Sequence, residues 1–207
     1  MTEPFLFDGP ADAAATIVLA HGAGAPMDSA SLTAIATGLA ARGLRVARFE
    51  FPYMRERRLS GARRGPDRQP VLVQSWRDAI DALGGGPRLV IGGRSLGGRI
   101  ASYVADDFQA RGLVCLGYPF HPPGDPGRLR TAHLAGLKTP TLIVQGTRDP
   151  FGGTDEVAGY QLSPSIRVVW MEDGDHSFKP RKASGRTEAE NLAAAVAAVA
   201  DFVAGLP

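Results

Sequence analysis

Residues 86–99 read Gly-Pro-Arg-Leu-Val-Ile-Gly-Gly-Arg-Ser-Leu-Gly-Gly-Arg, an apolar run that leads into the turn Gly93-Arg94-Ser95-Leu96-Gly97. The apolar run predicts a buried strand, and the residues that follow the turn predict a helix. A serine between two glycines at such a junction is typical of a very sharp strand-to-helix turn, which strains the serine backbone and exposes its hydroxyl above the sheet. The pattern alone is weakly specific in a chain with 26 glycines, so the rest of the sequence must support it.

The composition predicts a single globular domain over residues 1–207. Hydrophobic residues make up 44% of the chain, and 23 basic side chains nearly balance 21 acidic ones. A balanced charge argues against nucleic acid or a membrane surface as a partner. The sequence shows neither a secretory signal nor an apolar segment as long as a membrane span, so we expect a cytoplasmic protein. The single cysteine, Cys115, lies in an apolar run and is expected to be buried.

Short apolar segments alternate with longer amphipathic ones, which predicts a mostly parallel sheet covered by helices on both faces. The predicted strands are residues 16–20, 45–51, 88–92, 112–117, 141–146 and 166–171, with 5–7 as an extra edge strand. The predicted helices are residues 31–42, 71–83, 96–108, 154–160 and 186–204. The expected fold is therefore a three-layer, doubly wound α/β domain with about six to seven strands.

Three chemistry-bearing side chains follow the ends of these strands. Ser95 follows the third predicted strand, Asp149 the fifth and His176 the sixth, so all three are expected at the carboxyl edge of the sheet, where ligands bind. A serine hydroxyl needs a base to take its proton, and the imidazole needs a carboxylate to fix its tautomer. Asp173 and Asp175 flank the histidine, but Asp149 at the end of another strand is better placed to orient it.

Acyl transfer also needs backbone donors for the oxyanion that develops on the substrate carbonyl. One candidate is the N–H of Leu96 at the start of the helix, and the other lies in the loop His-Gly-Ala-Gly-Ala at residues 21–25. Ala23 is the preferred second donor, with Gly24 next. His21 is expected to hold the loop rather than to act chemically.

Further side chains near this edge are candidates for substrate contacts, namely Gly24, Arg94, Tyr118 and His121. Tyr118 and His121 follow the fourth predicted strand, and ordinary loop packing around the prolines is the interpretation of these two residues that we favour. Residues 53–70 hold six arginines against two acidic residues and are predicted to form a loop at the same edge. Arginine suits recognition of a carboxylate or phosphate, but runs of charge usually form solvated surface, which is the interpretation we favour.

Together these segments resemble the α/β-hydrolase superfamily, and more narrowly its small lid-less members, similar to dienelactone hydrolases and the KANL/Tex-type predicted hydrolases. The resemblance extends from residue 16 onward and rests on residues 21–29, 92–99, 117–123, 145–149 and 174–178. It implies that Ser95 is the nucleophile, Asp149 the acid and His176 the base. Dienelactone hydrolases use a cysteine where this chain has Ser95, so their lactone substrate does not follow. Residues 121–139 are too few for the helical lid that other members carry.

The expected function is a carboxylesterase-like serine hydrolase that cleaves small ester or thioester substrates through an acyl-enzyme, with no metal or organic cofactor. One alternative is a non-catalytic interaction module that keeps the fold. Another is a dinucleotide-binding enzyme, because Gly22-Ala23-Gly24 follows a strand and Glu50 ends the next one. Met27 occupies the position of that fingerprint where close helix packing needs Gly or Ala, which weakens this alternative. The sequence does not indicate an oligomeric state.

Overall fold

The computed structural model of the protein describes residues 5–61 and 64–207 and has a seven-stranded sheet at its centre. The strands are β1 (Phe5–Asp8), β2 (Thr16–Ala20), β3 (Arg45–Phe49), β4 (Leu89–Arg94), β5 (Gly112–Leu116), β6 (Thr141–Gly146) and β7 (Ile166–Met171). Their order across the sheet is β1-β3-β2-β4-β5-β6-β7. Strand β1 pairs antiparallel with β3, and the other neighbours are parallel, which confirms the predicted α/β architecture.

The α-helices of the described residues cover both faces of this sheet. They are α1 (Ala30–Ala40), α2 (Pro52–Ser60), α3 (Gln69–Ala82), α4 (Leu96–Ala101), α5 (Thr154–Val157) and α6 (Glu188–Ala204). Alternate residues of a strand point to opposite faces, so Val18 packs with Trp76 of α3 in one cluster and Ile17 packs with Val199 of α6 in the other. Burial on both faces explains why the central strands are continuously apolar.

Helices α2 and α4 differ most from the sequence prediction, and α5 ends at Val157 where a helix was predicted through residue 160. Residues 52–60 form helix α2 where a loop was predicted, because Pro52 suits the first helical turn and Gly61 ends the helix in a left-handed conformation with φ of 71°. The regular part of α4 ends at Ala101, whereas a helix was predicted through residue 108. Residues 102–109 continue as turns, and the Ser102 hydroxyl donates to the Arg99 carbonyl oxygen where the regular helix ends.

The connection between β5 and β6 holds no lid domain. Residues 117–140 are all described and form turns with one 3₁₀ segment at Leu134–Gly136. The short connection leaves the carboxyl edge of the central strands uncovered by any inserted helical domain. Within residues 5–61 and 64–207, no helix combines the length and the hydropathy needed to cross a membrane.

Candidate active site

Ser95 lies in the turn between β4 and α4 with φ of 48° and ψ of −111°, an unfavourable backbone conformation for a residue with a side chain. The turn brings the helix very close to strand β2. A Cβ atom on Gly93 would lie 2.1 Å from the Ala20 carbonyl oxygen, and one on Gly97 would lie 2.4 Å from it. Glycine is therefore sterically required on both sides of Ser95, which is the physical basis of the Gly-x-Ser-x-Gly pattern.

The side chains of Ser95, His176 and Asp149 form one hydrogen-bonded chain. His176 Nε2 lies 2.9 Å from Ser95 Oγ, and His176 Nδ1 lies 2.8 Å from Asp149 Oδ2. A carboxylate only accepts, so Nδ1 carries the ring proton and Nε2 accepts from the serine hydroxyl. Strands β4, β6 and β7 thus bring together, at one edge of the sheet, the three residues that the sequence placed after their ends.

Asp149 is buried, and hydrogen bonds from other groups hold its carboxylate in position. The Phe151 N–H donates to Oδ1 at 2.9 Å, and Gln145 Nε2 donates to Oδ2 at 2.9 Å. Gln145 is itself oriented because its Oε1 accepts the Tyr118 N–H at 2.7 Å. A buried carboxylate is costly unless it is hydrogen-bonded, so these donors offset part of the cost of burying Asp149 beside His176. The sequence analysis missed Gln145, although an amide in the apolar run 141–146 was a signal.

The two carboxylates next to His176 shape its loop. Asp173 accepts hydrogen bonds from Arg181, which hold its pKa at about 2, and its Oδ1 lies 2.9 Å from Arg148 Nε. Asp175 Oδ1 accepts backbone N–H groups from two residues of the same turn. Neither carboxylate bonds to the His176 ring, which supports the choice of Asp149 as its partner.

The loop at residues 21–25 is held by groups at the start of α2. His21 Nδ1 donates to the Gly22 carbonyl oxygen at 2.6 Å, and its Nε2 accepts the Phe51 N–H at 3.1 Å. Burial lowers the pKa of His21, which favours this neutral form. The Tyr53 hydroxyl lies 3.2 Å from the carbonyl oxygens of Gly22 and Ala23, so the loop is positioned by a residue that the sequence analysis had not assigned to the site.

The two proposed oxyanion donors are free of protein acceptors. Within the described part of the chain, the N–H groups of Ala23 and Leu96 make no hydrogen bond. Leu96 is the first residue of α4, where N–H groups have no partner within the helix. Neither donor is therefore occupied by another group of the described residues, and Ala23 lines the cavity beside Ser95 whereas Leu96 does not.

A cavity of about 320 Å³ opens beside these groups, with Ser95 and His176 in its wall. Gly24 and Arg94, two of the predicted substrate contacts, also line it. The structure places Tyr118 and His121 outside this cavity. Tyr118 is fully buried, and its hydroxyl donates to the Arg130 carbonyl oxygen. His121 is also buried, with its Nδ1 2.8 Å from the Pro122 carbonyl oxygen, so both side chains belong to the packing of the loop after β5.

Two arginines of the segment at residues 53–70, Arg58 and Arg64, form ion pairs with carboxylates. Arg58 bridges Glu50 at 2.6 Å and Asp28 at 2.8 Å, and hydrogen bonds to these two carboxylates raise its pKa. Arg63 lies outside the described residues. Glu50 is buried and also accepts the Met27 N–H, so it is not free to bind a ribose. The dinucleotide-binding alternative loses the acidic residue on which it depended.

The sheet order, the strained serine turn and the absence of an inserted lid define a small protein with the α/β-hydrolase fold. A profile of the family described as an alpha/beta hydrolase domain matches residues 13–204, and the chain belongs to this family. It is therefore a member of a hydrolase family, as the resemblance implied.

Known proteins support this assignment. The chain is 38% identical over 97 residues to the Pongo abelii protein named "Putative protein-lysine deacylase ABHD14B", a match that covers 47% of this chain and 44% of that protein. The chain thus aligns with less than half of this relative's length. The structure of dienelactone hydrolase from Anabaena variabilis is similar with a TM-score of 0.72 and 24% identity, over 98% of this chain and 91% of that one.

A second structural neighbour is the Xanthomonas campestris protein XC6422, described as a serine hydrolase without a lid. It has a TM-score of 0.67 and 20% identity, over 98% of this chain and 89% of that chain. At this level of identity the likeness concerns the fold. It agrees with the short connection between β5 and β6 seen here.

Proposed function

We propose that this protein is a serine hydrolase that cleaves small ester or thioester substrates through an acyl-enzyme on Ser95. The observation that carries the proposal is the hydrogen-bonded chain from Ser95 through His176 to the buried Asp149, at the wall of an open cavity. A serine in strained geometry whose hydroxyl donates to a neutral imidazole is the arrangement that nucleophilic catalysis requires.

In the first half of the reaction, His176 Nε2 takes the Ser95 proton as Oγ attacks the carbonyl carbon of the substrate. Asp149, which is hydrogen-bonded to Nδ1, stabilises the imidazolium. The N–H groups of Leu96 and Ala23 donate to the oxyanion of the tetrahedral intermediate. When the intermediate collapses, His176 gives its proton to the leaving alkoxide or thiolate, and the acyl group remains on Oγ.

In the second half of the reaction, a water molecule attacks the acyl-enzyme. His176 takes the water proton as the new bond forms, and the second tetrahedral intermediate uses the same two backbone donors. Collapse of this intermediate breaks the bond to Oγ and returns the proton from His176 to Ser95. The carboxylic acid product then leaves, and the enzyme is restored.

The size of the cavity favours a small substrate. Its volume of about 320 Å³ lies near the lower end of the range for small-molecule sites, about 300–1,000 Å³. Acyl groups of a few carbons fit such a space without a lid to cover them. The relation to a protein named as a lysine deacylase adds short acyl groups on a lysine side chain to the substrates worth testing.

The proposal is tested by measuring hydrolysis of 4-nitrophenyl acetate by the wild type and by two variants of the chain. Ser95→Ala and His176→Ala are each expected to lower kcat by about 10³-fold or more while the folded state persists in circular dichroism. Ser184→Ala, which changes an exposed serine outside the cavity, is the matched control and should keep wild-type turnover.

Near-wild-type turnover in His176→Ala would overturn the assignment of the base. A wild-type protein that hydrolyses neither esters, thioesters nor acyl-lysine peptides would favour the non-catalytic interaction module instead.

A further inference from the structure

Arg94 places a positive charge in the wall of the active-site cavity, next to Ser95. It is the last residue of β4 and lines the same cavity as Ser95 and His176. Its Nη2 donates to the His176 carbonyl oxygen, and its guanidinium carbon lies 5.0 Å from the centre of the Phe178 ring. The side chain thus lies between the serine turn and the histidine loop.

In the described part of the chain, no carboxylate forms an ion pair with this guanidinium. Among the ion pairs within residues 5–61 and 64–207, none includes Arg94. Asp149, Asp175 and Glu188 act on it from beyond contact distance, but burial outweighs their attraction and lowers the pKa of Arg94. Asp149 is already held by His176, and Asp175 already accepts backbone N–H groups of its own turn.

Most of the donors of Arg94 are also unused. A guanidinium has five N–H donors, and Nη2 makes the one hydrogen bond that this side chain forms within the described chain. The fully buried side-chain nitrogen or oxygen atoms without a hydrogen-bond partner, among the described residues, are Arg99 Nε and His121 Nε2. The unused donor atoms of Arg94 are therefore not fully buried, and the residue lines the cavity beside Ser95.

We propose that Arg94 binds a carboxylate of the substrate, so that the preferred substrates are esters or thioesters with a carboxylate close to the scissile carbonyl. This inference rests on the proposed hydrolase function and names its substrate class. The planar fork of a guanidinium matches the two oxygens of a carboxylate, and a bound carboxylate supplies the countercharge that the protein does not. The direct sequence link between Arg94 and Ser95 sets the carboxylate near the carbonyl under attack.

The test compares substrates that differ only in charge. For a carboxylate on the acyl side, monoethyl succinate is compared with ethyl succinamate, in which an amide of similar shape replaces the carboxylate. For a carboxylate on the leaving group, 4-acetoxybenzoate is compared with 4-acetoxybenzamide. We expect the wild type to prefer the charged member of at least one pair by about 10- to 100-fold in kcat/KM, the effect of one charge-assisted hydrogen bond.

Arg94→Gln should reduce this preference to about one, because it removes the charge and the fork. Arg94→Lys, which keeps the charge but not the fork, should retain part of it. Arg94 also contacts the His176 loop, so its substitution can lower the activity on both members of a pair. The ratio of their kcat/KM values is unaffected by such a common loss. Arg55→Gln is the control, since Arg55 is an exposed arginine of α2 outside this cavity, and its ratio should equal that of the wild type.

Equal hydrolysis of the charged and neutral members of both pairs by the wild type would overturn the inference while leaving the hydrolase function intact. An unchanged ratio in Arg94→Gln would also overturn it, because the preference would then come from another residue. A protein that hydrolyses no ester and does not react with a fluorophosphonate probe would overturn the proposed function, and the inference with it.

Discussion

Replacing Asp149 by asparagine tests how the buried acid controls the histidine. The Phe151 N–H faces Oδ1 at 2.9 Å, and a donor can pair only with the oxygen of the new amide. Gln145 Nε2 faces Oδ2 in the same way, but the backbone N–H of Phe151 is fixed whereas the Gln145 side chain can shift, so we expect the amide NH₂ group at the position of Oδ2, where it faces His176 Nδ1. It donates to Nδ1, so the ring proton moves to Nε2. The Nε2–H can no longer accept the Ser95 proton.

The contacts of Asp149 determine the size of two expected effects of this substitution, one on kcat and one on folding stability. Loss of the correct tautomer should lower kcat by about 10³- to 10⁴-fold. The new NH₂ group also faces Gln145 Nε2, which lies 2.9 Å from Oδ2 in the native protein. Gln145 cannot turn around without losing the Tyr118 N–H that its Oε1 accepts. Two donors facing each other should cost about 2 kcal/mol of folding free energy, or a fall in Tm of about 4–8 °C.

The measurement is kcat for an activated ester together with a thermal melt of each variant. Asp155→Asn, an exposed substitution in α5, is the matched control and should leave both unchanged. If Asp149→Asn kept a tenth or more of the wild-type kcat, the reasoning that Asp149 fixes the tautomer of His176 would be refuted. An unchanged Tm would refute the predicted conflict with Gln145.

Gly117 and Gly124 form a matched pair, because both have a left-handed backbone with φ values of 70° and 76°. They differ in their surroundings, since a Cβ atom would lie 3.3 Å from the His176 ring at Gly117 and would meet nothing within 4 Å at Gly124. Alanine at either position should cost about 1 kcal/mol in urea unfolding, and only Gly117→Ala should also lower kcat. Asn191→Leu should lower the unfolding free energy by about 2–4 kcal/mol in the same assay, because the buried amide donates to two backbone carbonyls of the His176 loop at 3.0 and 2.8 Å. Burial lowers the pKa of His133 from 6.5 to about 4, so the unfolded chain binds the extra proton first. Stability should therefore fall as the pH drops from about 6.5 to 4, and His133→Gln should make this fall in Tm smaller.

Each of these expectations has a contrary result. Equal kcat values for the two glycine variants would show that contact between residue 117 and the His176 ring does not affect activity. An Asn191→Leu variant as stable as the wild type would show that the two carbonyls find other donors. A His133→Gln variant with the same dependence of Tm on pH as the wild type would show that His133 titrates alike in the folded and unfolded chains.

The fold was predictable because its strongest signals are local. The central strands are buried on both faces and are therefore continuous apolar runs, and the predicted bounds of β2, β6 and β7 agree with the structure. Helix α2 was missed because its arginines hide the helical period of a short segment. Arg58 of this helix pairs with Glu50 and Asp28. These three residues come from different parts of the chain, so no local sequence pattern reveals the contact.

The catalytic residues of the site were predictable, but the residues that hold them in position were not. Residue type and position after strands placed Ser95, Asp149 and His176 at one edge, since parallel strands end together. The donors that hold Asp149 and the loop at 21–25 come from Gln145 and Tyr53. Their roles depend on side-chain direction and burial, which require the folded structure. That Arg94 has no ion-pair partner among residues 5–61 and 64–207 is likewise visible only when the neighbouring carboxylates have been placed.

The most direct test of the account is to locate the group that reacts with a fluorophosphonate probe by peptide mass spectrometry. The account predicts one labelled peptide, with the probe on Ser95, and no labelling in Ser95→Ala. It also predicts that labelling slows by about 10³-fold in His176→Ala, because the hydroxyl then lacks its base. Labelling of another residue, or an unchanged rate in His176→Ala, would contradict the claim that Ser95 is the activated nucleophile.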